Sequence, residues 1–297
     1  MMSEVVIAAG DIAQPQRRVR LTLTLRTLLF LALPMAFLAV FFGYPMVDIL
    51  SRSFHSADGA LTLQNYATLL DRPAYWRVTM ITMQLSFAVT LICIIVGYPV
   101  AYVAANARPA VGAVIMVFVL LPFLTSVLVR NYGWIVLLRP GGILSDVASA
   151  IAGREVQLLY NRFGVLVGLV YTMLPYFVLT LYSVLKAIDT RLVFVAYSLG
   201  SSRWSAFRRI YLPLSMPGVV GGALLVFILS AGFFITPRLL GGDRDQMLSS
   251  IIAYQVEILI DWNMASTLAV VLLAITLLLF LIYARLVGIK QLVTSKW

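Results

Sequence analysis

Six stretches of this chain run for 21 to 30 residues without one Asp, Glu, Lys or Arg: 27–47, 78–107, 109–129, 163–185, 210–237 and 262–284. Each is as long as the roughly 20 residues an α-helix needs to cross about 30 Å of hydrocarbon. The rest of the composition leaves no other solution. The 297 residues are 62% hydrophobic and 11% charged, where soluble domains run near ~25% charged. A water-soluble core burying all six stretches would leave almost no polar surface. The chain therefore reads as an all-α, multi-pass membrane protein with six transmembrane helices. Two shorter apolar runs, 131–138 and 246–256, read as interfacial or re-entrant helices tucked against the bundle. The first window is not a cleavable signal, because the 26 residues before it are too long and mixed.

Charge orients the spans. With the N-terminus in the cytosol, the inner side collects thirteen bases (Arg17, Arg18, Arg20, Arg26, Arg108, Lys186, Arg191, Arg203, Arg208, Arg209, Arg285, Lys290 and Lys296) against three acids. The outer side, with Arg130 assigned to a loop there, holds nine bases and nine acids. The positive-inside rule then places both termini in the cytosol. The formal net charge of +10 is a topology signal that needs no nucleic-acid partner. The domain plan is a cytosolic extension over 1–26, a six-helix membrane domain over 27–285 with a large inner loop at 186–209, and a cytosolic tail over 286–297.

Several function classes fall away on residue types. One cysteine, Cys93, and one histidine, His55, exclude a cysteine cluster or a multi-histidine metal site. No G-x-x-x-x-G-K-[ST] phosphate cradle occurs, so nucleotide hydrolysis must come from a partner. No window holds a carboxylate or base, which argues against a proton-driven carrier with ionisable relays at membrane depth. A membrane-embedded enzyme would need convergent catalytic groups, and the spans offer isolated hydroxyls. The remaining competitor is a self-sufficient carrier or channel, which would need its own ion site and commonly an internal repeat. Pro34, Pro45, Pro99, Pro122, Pro175, Pro213 and Pro217 fall in or at the ends of five windows, so broken or bent helices are expected in a packed, moving bundle. Gly164 with Gly168 and Gly218 with Gly222 give two small-xxx-small spacings that permit close helix approach.

The 24 residues 186–209 form the largest inner loop. Leu192, Val195 with Ala196, and Leu199 recur at helical spacing and end at Gly200, a C-terminal stop. Ser201 or Ser202 caps a second helix, on which Trp204, Phe207 and Tyr211 share a face leading to Pro213 and Pro217. An apolar short helix in the cytosol is either a membrane-surface helix or a plug for a partner's groove.

The stretch IDTRLVFVAYSLGSSRWSAFRRIYLPLSMPGVVGG, 188–222, resembles the EAA loop of binding-protein-dependent ABC importer permeases: Ala196, Gly200, Ile210, Leu212, Pro213 and Pro217 match, while the Glu and first Ala of that pattern are Phe194 and Val195 here. LPFLTSVLVRNYGWIVLL at 121–138 and GFFITPRLLGG at 232–242 resemble the spermidine/putrescine-type branch, the PotB-like subunits with a longer N-terminal extension. The resemblance implies a type I ABC importer permease fold in a bacterial cytoplasmic (inner) membrane. It also implies a second, PotC-like permease, two ATPase subunits that bind ATP and Mg, and an extracytoplasmic solute-binding protein as partners. This chain, embedded in membrane lipid, would carry neither metal nor cofactor and catalyse no reaction itself. The loop residues Phe194, Val195, Ala196, Leu199, Gly200, Ser201, Trp204, Pro213 and Pro217 would couple it to the ATPases, with Gly200 and Pro213 as mechanical points. A candidate path for an organic cation uses Tyr132, Trp134, Tyr171, Tyr176, Phe233 and Phe234, with Asp243, Asp245, Glu257 and Asp261 clustered against Arg238 and Arg244.

Overall fold

The computed structural model describes residues 25–56, 58–189 and 191–294. Its contacts divide the chain between Asp48 and Ile49 into two units, each described by itself.

In the first unit, α1 (Leu25–Leu38) runs into a π-helical turn at Ala39–Gly43, and α2 (Tyr44–Arg52) begins there. The amide of Tyr44 reaches the carbonyl of Ala39 across the widened turn. Pro45 follows at once; it has no N–H to donate, so the wide turn sits where a normal helical bond is already lost. From Leu28 onward the α1 sequence LRTLLFLALPMAFL is apolar all round, as suits a helix surrounded by lipid or other helices.

The second unit contains α3 (Gln64–Asp71), α4 (Pro73–Asn106), α5 (Pro109–Leu120), α6 (Val127–Leu138), α7 (Ile143–Ala152) and α8 (Arg162–Ala187). They are followed by α9 (Arg191–Ser198), α10 (Arg203–Ala206), α11 (Leu212–Gly232), α12 (Ile235–Leu240), α13 (Leu248–Glu257) and α14 (Trp262–Thr294). The core is the triangle of α4, α8 and α11. Gly97 of α4 lies beside Phe177 and Leu174 of α8, while Gly218 and Gly222 of α11 lie against Val184, Leu181 and Phe177. These contacts make α4 and α8 parallel and α11 antiparallel to both. Phe177 is fully buried, its ring filling the space that Gly97 and Gly222 leave open; a methyl group at Gly97 would stand 2.5 Å from it. Both glycine pairs are used inside the subunit, since Gly168 packs against Leu240 and Thr236 of α12.

The solvent preference of α4 is inverted relative to a soluble helix. Thr79, Thr82, Ser86 and Thr90 are buried, while Met80, Phe87, Leu91 and Ile95 are exposed. The hydroxyls of Thr79, Thr82 and Thr90 donate to the carbonyls of Tyr75, Val78 and Ser86, which satisfies them without water. Thr82 also accepts the amide of Leu248 at the start of α13. Exposed apolar stripes over buried polar ones fit a lipid surround.

Among the described residues, six helical stretches are long and apolar enough to cross a bilayer: Phe30–Arg52, Pro73–Asn106, Val127–Ala152, Arg162–Ala187, Arg203–Gly232 and Trp262–Ile282. Five coincide largely with sequence windows, and the third shares only 127–129 with one. The third is interrupted, because helix stops at Leu138 and restarts at Ile143. Packing assigns that crossing differently. Gly112 touches the Ala104 carbonyl at one end of α4; Phe123 meets Tyr176 at 5.0 Å between ring centroids; Trp134 meets Tyr171 at 5.5 Å; Leu138 clusters with Leu159 and Leu240 at the other end. Residues 109–138 thus climb the length of the bundle as α5, a 3₁₀ turn at Leu121–Leu124, and α6.

The helix that continues past 129 is α6, and 131–138, expected as an interfacial or re-entrant helix tucked against the bundle, does pack on α8 and α12 but as the continuation of α5. The break follows Pro122, and Thr125 and Ser126 have extended backbones. The fifth window also breaks, at Phe233–Phe234, leaving α12 as a separate turn of helix. Proline alone does not set the breaks: α4, α8 and α11 run through Pro99, Pro175 and Pro217 as continuous helix. Helix α13 lies against α14 and α4, as the 246–256 run was expected to.

Candidate functional site

Helix α9 is eight residues long, about 12 Å, too short to persist on propensity alone. Local chemistry sets both its ends. The Asp189 carboxylate accepts the Arg191 amide at 2.9 Å. At the other end the Ser201 amide reaches back to the Ala196 carbonyl and the Gly200 amide to that of Tyr197, both at 3.0 Å. This paired bond pattern closes a helix on a left-handed residue, and Gly200 takes φ +85°. The turn is then restarted by Ser202, whose hydroxyl accepts the Ser205 amide. Of the two serines proposed as the cap, the structure selects Ser202.

One face of α9 docks on the bundle: Ala196 is buried, and Val193 and Ile188 pack on the main core. The other is left open. Leu192, Phe194, Val195 and Leu199 are exposed, Leu199 to 83%, and so is Trp204 on α10. Phe194, standing where the resembled pattern has Glu, sits edge-on to Tyr197. The apolar surface of this loop is therefore split; Ala196 belongs to the inward side and its neighbours Phe194 and Val195 to the outward one.

Behind it, Trp204, Phe207 and Tyr211 stack in sequence at 5.8 and 6.1 Å. Tyr102 of α4 meets Phe207 and Tyr211 edge-on at 5.7 and 5.1 Å. Tyr211 also accepts a hydrogen bond from Asn106, and Tyr98 shares one with Ser215. Residues Phe207–Tyr211 form a π-helical turn directly before Leu212–Pro213, the arrangement already seen before Pro45. The exposed loop is thus tied through an aromatic ladder to α4 and α11, two of the three core helices.

The candidate path residues do not form one cluster. Trp134, Tyr171 and Tyr176 lie along the seam between α8 and the third crossing, and Tyr132 on the same α6 is exposed. Phe233 and Phe234 form the break between α11 and α12; Phe233 is half-buried and its carbonyl accepts the Ser249 hydroxyl. The acids have separate partners. Asp245 pairs with Arg162 at 2.8 Å and Glu257 with Arg238. Asp261 caps α14 through the Met264 amide at 2.9 Å. Asp243 lines a cavity with Arg238, Gln246, Ser250 and Tyr254.

Sequence reasoning missed Arg130. It lies between two charge-free windows and was placed in an outer loop, but α6 carries it inside the third crossing. The inference that the spans hold no ionisable group is corrected accordingly. Its guanidinium donates to the carbonyls of Pro122 and Thr125, and its carbon stands 5.6 Å from the Tyr171 ring centroid. The available signal was Pro122 with the Thr125–Ser126 pair, which marks a helix break that a single residue further on can bridge.

The family model described as "Binding-protein-dependent transport system inner membrane component" matches residues 93–288. The chain is 32% identical over 262 residues to the spermidine/putrescine transport system permease protein PotB of Haemophilus influenzae, covering 86% of this chain and 91% of that one. It is 31% identical over 256 residues to the protein of the same name from Escherichia coli, covering 84% and 93%. Among solved structures, a bacterial ABC transporter that imports the acidic polysaccharide alginate superposes with TM-score 0.67 at 17% identity, over 88% of this chain and 96% of that one. The MetNI methionine ABC transporter in an inward-facing conformation does so with TM-score 0.57 at 19% identity, over 73% and 97%. These two similarities carry the fold.

Proposed function

Because this chain belongs to the family of binding-protein-dependent transport system inner membrane components, we propose that it moves polyamines of the spermidine/putrescine kind. It is a multi-pass inner-membrane permease subunit of an ABC importer, which works with ATPase and solute-binding subunits. The polyamine assignment rests on the similarity to the two PotB proteins, which extends over most of both chains. In this reading the second pore-forming subunit is PotC-like, both termini are cytosolic, and ATP with Mg binds the partner ATPases.

The observation that carries the mechanism is the open apolar face of α9. Among the described residues nothing covers Leu192, Phe194, Val195 and Leu199, and a groove in an ATPase subunit supplies the missing surface. Closure of the ATPases moves the loop; the aromatic ladder passes that movement to α4 and α11; and alternating access of the pathway follows. Phe194 in place of a carboxylate makes the docking contact apolar, driven by area removed from water rather than by a charge pair. Aromatic side chains along the seam and acids in the α12–α13 segment suit an organic cation.

The test is purification of the chain from its native membrane in mild detergent, with mass spectrometry of its companions and uptake of labelled spermidine by the reconstituted complex. A Walker-containing ATPase, a second six-span permease and ATP-dependent uptake are expected. Recovery of the chain alone, with solute flux that needs no ATP, would overturn the importer reading. ATP-dependent transport of another solute would overturn only the polyamine assignment.

A further inference from the structure

Arg130 sits about 12 Å in from the Leu138 end of the third crossing, counted at 1.5 Å per residue. A cation at that depth is costly unless it has partners, and by default marks a functional place. Its partners here are of two kinds. At the break the Pro122 carbonyl takes the Thr125 amide and hydroxyl at 3.4 and 3.1 Å, and the Arg130 Nη2 adds a charged donor to it and to the Thr125 carbonyl, with Thr125 Oγ1 at 3.4 Å. A cation at the C-terminal end of α5 and its 3₁₀ turn is also where the helix dipole favours it. The second partner is the face of Tyr171, within the distance at which a guanidinium is drawn to an aromatic ring. The Arg130 Nε is buried and takes no acceptor, so the side chain is held from its tip.

Two cavities meet at this point. One, of about 300 Å³, is lined by Val100, Phe118, Val119, Pro122, Tyr171 and Leu174. The other, of about 350 Å³, is lined by Thr125, Val129, Arg130, Gly133, Trp134 and Tyr171. Tyr171 is a wall of both. One cavity borders α5 and the other α6; Tyr171 is common to both, Pro122 lines the first, and Thr125 and Arg130 line the second. Non-helical backbone at membrane depth is tolerated where it lines such a space.

Resting on the importer reading, we propose that Arg130 and Tyr171 are a latch in the third crossing: the guanidinium holds α6 to the end of α5, closes one cavity from the other, and must let go of the Pro122 and Thr125 carbonyls for the pathway to open. Arg130 is a positioning residue that acts through the α5–α6 joint. The latch is suited to a transporter, because a guanidinium can exchange its carbonyl acceptors for water when the cavities hydrate, whereas an apolar plug has no such second state.

The experiment needs neither solute nor ATP, so its result is independent of the importer test. Val119→Cys places a thiol in the Pro122-side cavity, and the single native Cys93 is buried and serves as the blank. The full-length chain in right-side-out and inverted membrane vesicles is treated with a membrane-impermeant maleimide, and the labelling rate is followed from each side. With Arg130 intact, labelling from the Arg130 side is slow. Arg130→Gln raises that rate at least tenfold; Arg130→Lys, which keeps the charge but has no fork to span two carbonyls, raises it less; Tyr171→Leu raises it and Tyr171→Phe does not. Equal rates in the parent, Arg130→Gln and Tyr171→Leu overturn the proposal. If Arg130→Gln fails to insert, Arg130→Lys and Tyr171→Leu decide it on the same readout.

Discussion

Replacing Gly200 with alanine separates the geometry of the α9 loop from its composition. Gly200 has φ +85°, and a Cβ built there meets no atom within 4 Å. The cost of alanine is therefore backbone strain alone, about 1–2 kcal/mol for a residue with a Cβ in the left-handed region. At 1.4 kcal/mol per factor of ten, that weakens the closed turn against frayed alternatives by roughly 5- to 30-fold. The loop is at the surface of the bundle, so insertion and abundance stay at the parent level. The turn orients Leu199 and the outward face of α9, so coupling suffers: uptake per ATP hydrolysed by the reconstituted complex falls several-fold while ATP hydrolysis persists. Asparagine tolerates the left-handed conformation, so Gly200→Asn stays close to the parent although its side chain is larger. Measuring both variants is decisive. Equal coupling in Gly200→Ala and Gly200→Asn would refute the argument from φ, and unchanged coupling in both would remove Gly200 from the coupling path.

Four further outcomes follow from the same contacts. Phe177→Ala empties the space between Gly97 and Gly222 and costs about 3–5 kcal/mol, read as a large fall in the midpoint of thermal unfolding in detergent. Phe194→Ala removes an exposed ring that a partner groove would bury, worth about 1.5–3 kcal/mol, so roughly 10- to 150-fold weaker retention of the ATPase during purification is expected, with the chain itself equally stable. Asp261→Ala strips the cap of α14 and costs about 1 kcal/mol, whereas Arg162→Ala breaks a half-exposed ion pair and changes stability by no more than about 1 kcal/mol; thermal unfolding of the two variants measures both.

Some parts of the site were legible in the residues because local chemistry decides them. A glycine after an apolar helical repeat predicts the end of α9, and the serine pair 201–202 predicts a cap for α10, of which the structure uses Ser202; both are settled by bonds within six residues of one another. The identity of the outward face was not legible. Ala196 and Val195 are adjacent and both apolar, and only the docking of α9 on the core makes the smaller one buried and the larger one exposed. The acids of the α12–α13 segment looked like one cluster because they are near in sequence, yet Asp245 finds its partner at Arg162, 83 residues away.

The sequence by itself determined the solvent and the count of crossings. Charge-free windows of membrane length cannot be accommodated in water, whatever the packing, and the thirteen-to-nine division of bases biases their direction. Tertiary structure decided where a crossing breaks and which side chain repairs it. Pro99, Pro175 and Pro217 are carried through continuous helices, whereas Pro122 is followed by a break at which Thr125 and Arg130 both donate to its carbonyl. A charge beside an apolar window reads as a boundary in one dimension. In three it lies within the bundle, since whether a cation can stay at depth depends on acceptors contributed by a neighbouring turn and a ring contributed by another helix.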